Sequence, residues 1–406
     1  MEEHTVGIIG AGTMGAGIAQ VAAIHGWRVE LLDLDRGTVE RAVESINGRI
    51  DRLVEKGRLD LEAADLARFR LRVAKGPASF APCELVIEAV IEDLDAKAAA
   101  LAPILPVIDR NAIIATNTSS LSIALIGERI HAADRTVGMH FFNPAPLLRL
   151  VEIVPGRATE PDVTDRVEAI AQSWGKTTAR AADLPGFIVN HVARPYYLEA
   201  FRLVEERVAR PAEIDAIMRR AGFRLGPLEL TDLIGQDVNT ATTRSVWERL
   251  DKPPLLAPSK LQERLVADGH LGRKSGEGVY RYKAGKDPAP AVKVSERRLR
   301  LSPDHRAAVE QFATKAVDEP GELRDQFVLT RILAGLMVQA VHAVERRVGD
   351  REAIDTALRY GTNYPMGPFA WIDRVGPDTC LAAFAALNEG VEDDRFAVPA
   401  SFTLSS

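Results

Sequence analysis

A glycine-rich turn set between two short apolar runs constrains this chain more than any other segment. Thr5 to Ile9 is apolar, Gly10-Ala11-Gly12-Thr13-Met14-Gly15 follows at once, and Ala16 to His25 then carries Ile18, Val21 and Ala22 on one helical face. Arg28 to Leu32 is a second strand-like run, closed by Asp33. Strand, glycine turn, helix, strand and acidic residue in that order predict a βαβ unit, whose natural setting is a parallel sheet covered by helices.

The following sequence agrees. Val39 to Leu71 is charged and helical in period, with Ile46, Ile50, Leu53 and Val54 as its apolar stripe, and Leu85–Ala89 and Ile113–Ala115 read as buried strands. The prediction is a Rossmann-type, doubly wound α/β domain over residues 1–183. Beyond Asp183-Leu184-Pro185-Gly186 the texture changes to long helical patterns, which predicts an all-α domain over 184–283. Lys283 to Asp304 is loose and charged, so 284–320 reads as a linker to a last segment, 321–406.

That last segment repeats the helical one. Phe187-Ile188-Val189 matches Phe327-Val328-Leu329, Val204-Glu205-Glu206-Arg207-Val208 matches Val344-Glu345-Arg346-Arg347-Val348, Ile214-Asp215 matches Ile354-Asp355, and Gly226-Pro227 matches Gly367-Pro368. The offset is 140 residues at Asp215 and 141 at Gly226, so one residue is inserted between them. Asn190 falls on Thr330, and the second copy therefore reads as a structural duplicate.

Composition narrows the partners. The 406 residues carry 51 Lys+Arg against 57 Asp+Glu, a net charge of -6, which argues against a nucleic-acid or membrane footprint but leaves room for local basic patches. Cys83 and Cys380 are far apart and lack neighbours at metal-ligand spacing, so they are expected to be small buried side chains, with no disulfide and no metal. The N-terminus lacks the pattern of a secretory leader, and no apolar run reaches the roughly 18 residues of a membrane span. A cytoplasmic location is expected.

In the turn, Gly10 permits a tight bend, Gly12 lets a pyrophosphate approach the backbone, and Gly15 lets helix and strand pack closely, with the helix N-terminus facing the anion. Asp33 either accepts hydrogen bonds from ribose hydroxyls, which favours NAD over NADP, or caps the next helix; nearby Arg36 keeps NADP open. Farther on, His140 and Glu152 lie twelve residues apart around Pro144-Ala145-Pro146. Oxidising an alcohol needs a base for the hydroxyl proton, and a histidine whose other ring nitrogen meets a carboxylate suits the task. The pairing requires the turn to fold Leu150–Val154 back as a strand beside His140.

Several ordered segments resemble the L-3-hydroxyacyl-CoA dehydrogenase family. They are the turn extended through Ala16-Gly17-Ile18-Ala19-Gln20, Glu88-Ala89-Val90-Ile91-Glu92-Asp93, Thr116-Asn117-Thr118-Ser119-Ser120-Leu121, His140-Phe141-Phe142-Asn143-Pro144, Asp183-Leu184-Pro185-Gly186-Phe187-Ile188-Val189-Asn190 and Gly272-Arg273-Lys274-Ser275-Gly276-Glu277-Gly278-Val279-Tyr280. The duplicated helical segment is similar to that of longer members, including the type used in phenylacetate degradation. The resemblance implies NAD-dependent, reversible oxidation of an (S)-3-hydroxyacyl-CoA to a 3-oxoacyl-CoA in fatty-acid or aromatic-acid catabolism.

By the same resemblance His140 is the general base, Glu152 orients it, and Ser119 and Asn190 hold the substrate oxygen and the histidine in register. It assigns Gly10, Ala11, Gly12, Thr13, Met14, Gly15, Asp33, Glu92, Lys97, Asn117, Ser119, Asn143 and Lys274 to the cofactor, and Arg49 and Lys56, with Ser119, to the CoA substrate. Where the family usually has arginine after the motif asparagine, this chain has His191. A hydroxy acid or sugar acid without CoA, or nucleotide binding without catalysis, remain the alternative readings. In shorter relatives two subunits pair through the helical domain, so the chain is expected to be a homodimer or a monomer with an internal pseudo-dimer.

Overall fold

A computed structural model describes residues 4–399 and 402, in two compact units that divide between Phe187 and Ile188. The first unit is built on β1 (Thr5–Ile9), α1 (Thr13–Ile24), β2 (Arg28–Leu32), α2 (Arg36–Glu55), α3 (Leu61–Arg70) and β3 (Leu71–Val73). The chain continues through β4 (Leu85–Glu88), α4 (Leu94–Leu101), β5 (Ile113–Thr116), α5 (Ile123–Arg129), β6 (Thr136–Phe141), β7 (Leu150–Pro155), α6 (Pro161–Ser173) and β8 (Thr177–Arg180).

The sheet order is β3-β2-β1-β4-β5-β6-β7-β8. From β3 to β6 every neighbouring pair is parallel, as the buried apolar runs predict, but β7 runs antiparallel to β6 and β8 follows β7. The chain winds outward from β1 in one direction and then, from β4, in the other. Their boundary is the switch point where open α/β sheets bind ligands, and the glycine turn leaves the end of β1 there.

Local chemistry accounts for the element ends. The expected helix from Val39 to Leu71 is two helices, broken at Gly57, whose φ of +63° is a left-handed conformation. Val39, Ala42, Ile46 and Ile50 form the buried stripe of α2, while Leu53 and Val54 are only half-buried; Leu71 opens β3 instead of closing a helix. The Asp35 carboxylate caps α2 by accepting from the Gly37 and Thr38 amides, and Asp60 caps α3 through the Ala63 amide.

The second unit is helical: α7 (Val189–Val192), α8 (Arg194–Glu205), α9 (Pro211–Arg220), α10 (Pro227–Ile234), α11 (Gln236–Arg249) and α12 (Lys260–Ala267) precede a two-stranded pairing of β9 (Tyr280–Arg281) with β10 (Ala289–Pro290). Then come α13 (Pro303–Ala316), α14 (Leu323–Glu345), α15 (Arg351–Gly361), α16 (Pro368–Val375) and α17 (Pro377–Glu389). The reading of 284–320 as linker is corrected by α13, which buries Val309, Phe312, Ala313 and Ala316 and packs on α14 and α17. Those positions have helical spacing, but three of the four are short side chains in a charged segment, and their burial depends on distant helices. Helix α14 is long and apolar enough to cross a membrane, and 83% of its apolar window is buried within the protein.

The repeat preserves a physical device. Asp215 accepts from the amides of Leu228 and Glu229 at 2.9 and 3.1 Å, and Asp355 accepts from those of Phe369 and Ala370 at 2.8 and 2.9 Å. Each aspartate thus holds the start of the next helix. A Cβ on Gly226 or on Gly367 would lie within 2.4 Å of its aspartate's Cβ, which explains why both copies keep glycine there. The copies also meet through related positions: a Cβ on Gly335 would lie 2.9 Å from Pro195, 140 residues earlier, and the rings of Phe223 and Tyr364, 141 apart, are 4.9 Å between centroids. Contact between repeat-related residues is the mark of a local two-fold axis.

Across that contact Arg331, 2% exposed, donates to Glu199 at 2.6 and 3.0 Å and to Glu206 at 2.6 Å. Glu199 is fully buried and also pairs with Arg202 at 2.6 Å and Arg395 at 3.5 Å.

Candidate active site

The glycine turn has the shape of a pyrophosphate cradle. Gly10 has φ +99°, and a Cβ there would lie 2.5 Å from the Ala89 carbonyl oxygen; one on Gly15 would lie 1.8 Å from the Gly10 carbonyl oxygen. One on Gly12 would meet nothing within 4 Å, so the backbone at the N-cap of α1 opens onto free space. Gly12 and Thr13 are exposed and Met14 is half-buried. Asp33 follows β2 beside the turn and accepts from the Ala11 amide at 2.7 Å. Because Asp35 caps α2, the alternative role for Asp33 falls away. Two residues not assigned to the site from the sequence, Leu34 and Ile91, are apolar yet 106% and 72% exposed at this edge, a surface suited to the flat face of an adenine. Exposure of that kind after a strand end has no signature in periodicity.

The next turn along the edge is organised by Glu92. Its Oε1 accepts from the Thr118 hydroxyl at 2.7 Å, from the Ser119 and Ser120 amides at 2.8 and 2.9 Å, and from the Ser119 and Ser120 hydroxyls at 3.2 and 2.9 Å. Its Oε2 lies 3.2 Å from the Lys97 ammonium. Burial would raise the pKa of this carboxyl, but the Lys97 charge and the hydrogen bonds from Thr118, Ser119 and Ser120 outweigh it and bring it to about 2. Lys97 is only 1% exposed and also donates to Glu88 at 2.9 Å, so in this structure it meets carboxylates and not the open edge.

The β6–β7 hairpin has the predicted pairing. β6 and β7 are antiparallel with His140 opposite Glu152, and His140 Nδ1 lies 2.7 Å from Glu152 Oε2, with both side chains buried. A carboxylate at Nδ1 sets the tautomer in which Nε2 takes up a proton, and stabilises the imidazolium that results. The Phe142 and Phe187 rings stand 4.4 and 5.7 Å from the imidazole. Phe187 has φ +47°, rare for a bulky side chain, directly after Gly186 at +82°.

Contacts from Asn117, Lys176 and Asp183 hold this hairpin and the neighbouring α5 in place. Asn117 Oδ1 accepts from the Phe141 amide at 2.8 Å, tying the Ser119 turn to the strand that carries His140. Lys176 donates to the Ala145 and Leu148 carbonyls at 2.5 and 2.8 Å, bracing the turn between His140 and Glu152, and burial lowers its pKa to about 8. Asn143 is exposed on that turn, before the cis peptide to Pro144. The Asp183 carboxylate accepts from Ser122 and from the Ile123 and Ala124 amides at the start of α5. Lys176 lies outside the motifs singled out above, and long-range contacts of this kind leave no local pattern.

The remaining predicted residues are placed as follows. In the helical unit the Asn190 Oδ1 accepts from Arg194 at 3.1 Å; Arg194 is 4% exposed and lies 5.0 Å over the Tyr197 ring. An arginine one turn further along thus fixes the asparagine where His191 departs from the usual pattern. Lys274 pairs with Asp237 at 2.6 Å. In the first unit Arg49 is tied to α1, donating to Gln20 at 2.5 Å and to the Ala16 carbonyl at 3.4 Å, and burial lowers its pKa. Lys56 is exposed at the C-cap of α2. Lys56 lies about two turns beyond Arg49; Arg49 is half-buried and Lys56 exposed.

A nucleotide cradle at the switch point of a doubly wound sheet, with a carboxylate-held histidine on the same sheet, defines a dinucleotide-dependent dehydrogenase. Residues 5–184 match the family description "3-hydroxyacyl-CoA dehydrogenase, NAD binding domain", and residues 186–282 and 327–403 match its C-terminal domain. A 3-hydroxyadipyl-CoA dehydrogenase of Escherichia coli is 36% identical over 97% of this chain and 95% of its own length. The crystal structure of a 3-hydroxybutyryl-CoA dehydrogenase from Escherichia coli matches with a TM-score of 0.87 at 35% identity, covering 100% of this chain and 98% of the other. That of an (S)-3-hydroxybutyryl-CoA dehydrogenase from Ralstonia eutropha covers 70% of this chain and 100% of its own, with a TM-score of 0.67 at 38% identity. The chain belongs to the 3-hydroxyacyl-CoA dehydrogenase family, and it is an NAD-dependent oxidoreductase.

Proposed function

We propose that one active site per chain interconverts an (S)-3-hydroxyacyl-CoA and a 3-oxoacyl-CoA, with His140 as the base. The buried contact of 2.7 Å between His140 Nδ1 and Glu152 Oε2 carries this reading. A nicotinamide held beside the glycine turn would supply the acceptor for the hydride leaving C3 of the substrate. His140 Nε2 takes the proton of the 3-hydroxyl, and Glu152 stabilises the positive ring. Ser119, on the turn shaped by Glu92, hydrogen-bonds the 3-oxygen, and Asn190, its amide oriented by Arg194, keeps the role that the family resemblance gives it. Asn143 contacts the cofactor, while Lys56 meets CoA phosphate with Arg49 in support. The second helical copy has Thr330 in the place of Asn190, and the sheet domain occurs once.

Two finer readings accompany it. A similar protein's name, 3-hydroxyadipyl-CoA dehydrogenase, supports a six-carbon dicarboxylic acyl group, in an aromatic-acid or fatty-acid catabolic route in the cytoplasm. The local two-fold between the helical copies supports a monomer of 44.2 kDa in which the second copy stands where a partner would. Steady-state rates over short, medium and dicarboxylic 3-hydroxyacyl-CoAs, beside the free 3-hydroxy acids, test the reaction. CoA thioesters are expected to turn over and free acids to do so poorly; the opposite order refutes it. Light scattering tests the mass, and a dimer paired through the first copy refutes the monomer.

A further inference from the structure

We propose that Glu88 is a positioning residue for Ser119, acting through Lys97 and Glu92 on one side and Thr116 on the other; this rests on the role given to Ser119 above. Glu88 is the last residue of β4 and fully buried. It stands in register with Ile9, the residue before the glycine turn, and with Thr116, the residue before the Asn117–Ser119 turn. Both loops therefore spring from the strand ends that flank it.

Its carboxylate is fully engaged. Oε1 accepts from Lys97 Nζ at 2.9 Å and from the Val90 amide at 2.6 Å, and Oε2 accepts from the Thr116 hydroxyl at 2.6 Å. From these groups a closed ring of side chains can be traced. Lys97 continues to Glu92 at 3.2 Å, Glu92 gathers Thr118 and Ser119, the Thr118 amide donates to the Thr116 hydroxyl at 3.3 Å, and Thr116 returns to Glu88.

The chemistry of the ring indicates what it is for. A buried ion pair is a weak way to stabilise a fold, because well-packed apolar side chains of similar volume usually do as well. An ionic ring supplies direction instead. Lysine is a point charge on a flexible four-carbon stem, and a second carboxylate behind it fixes where the ammonium sits. With Nζ held by Glu88, Glu92 has one place to lie, and the turn carrying the Ser119 hydroxyl is set before substrate arrives. Lys97 thus acts on the site from behind Glu92.

The test is a double-mutant cycle in the full chain, following NADH oxidation with a 3-oxoacyl-CoA. Glu88→Gln keeps the shape and removes the charge; it is expected to lower kcat about tenfold or more with the KM for NADH changed less than about threefold. In a Ser119→Ala background the same change should cost less than about twofold, because the hydroxyl it positions is gone. Thr116→Val, which removes one hydroxyl from the ring and little volume, carries the same cycle if Glu88→Gln does not fold. Equal losses in both backgrounds identify a role in folding alone and overturn the proposal. Near-normal kcat in Glu88→Gln, with Ser119→Ala impaired, also overturns it and leaves the reading of Ser119 intact. A fully active Ser119→Ala removes that reading and the proposal with it.

Discussion

Glu199 gives the most direct test of how the two helical copies are joined. Its carboxylate has no exposed surface and faces Arg331 at 2.6 Å, Arg202 at 2.6 Å and Arg395 at 3.5 Å. Burial alone would raise its pKa, but the charges of Arg331, Arg202 and Arg395 overcome that and hold it at about 2, against an ordinary 4.5. Lowering the pKa from 4.5 to about 2 means that the folded state favours the ionised over the protonated carboxyl by roughly 3–4 kcal/mol. The folded pKa is the lower one, so the contribution is complete above the unfolded value near 4.5 and disappears as pH falls toward 2.

Glu199→Gln removes this pH-dependent contribution and leaves Arg331, itself 2% exposed, with the counter-charge of Glu206 alone. Breaking such a buried pair from one side costs about 3–5 kcal/mol; because Gln keeps one acceptor, a loss of about 3 kcal/mol is expected at pH 7. Urea unfolding followed by far-ultraviolet circular dichroism, at pH 7 and stepwise from pH 5 to 2.5, measures both quantities. The variant should start lower and lose less on acidification, so the two curves converge. Parallel curves, or a difference below about 1 kcal/mol at pH 7, would refute the reasoning.

Three further outcomes follow from the first unit. His140→Gln and Glu152→Gln should each lower turnover about a hundredfold or more while NAD still binds by fluorescence titration; near-normal turnover in His140→Gln removes the base assignment. Gly12→Ala should keep its melting temperature and lose NAD affinity, since a Cβ there meets nothing, whereas Gly15→Ala should melt lower because its Cβ would lie 1.8 Å from the Gly10 carbonyl oxygen. Asp33→Asn should narrow the preference for NAD over NADP, read as the ratio of kcat/KM values, and an unchanged ratio would separate Asp33 from the ribose.

The nucleotide turn was legible because each of its requirements is local. A sharp bend, an open N-cap and a close helix–strand approach each demand glycine at one position, and Gly10, Gly12 and Gly15 occupy all three. The His140–Glu152 pair was legible for a similar reason: a short proline-containing turn leaves two strands little choice but to pair, and their register then sets the two residues opposite each other. The repeat was visible because its aspartate and glycine must stay together for the aspartate to hold the next helix.

The sequence by itself thus determined the βαβ start, the cofactor turn, the pairing of His140 with Glu152, and the duplication. Only the tertiary structure decided that β7 and β8 reverse direction, that α13 belongs with the second helical copy, and that Lys97 lies behind Glu92 instead of at the open edge. It also decided that Arg194 answers Asn190 and that Arg331 answers Glu199. Turns, caps and periodic faces are fixed by neighbours along the chain, within reach of backbone geometry. Buried charge pairs and satellite helices are fixed by which distant elements meet, and there the same residue types, lysine among glutamates or alanines at helical spacing, serve equally well on a solvated surface.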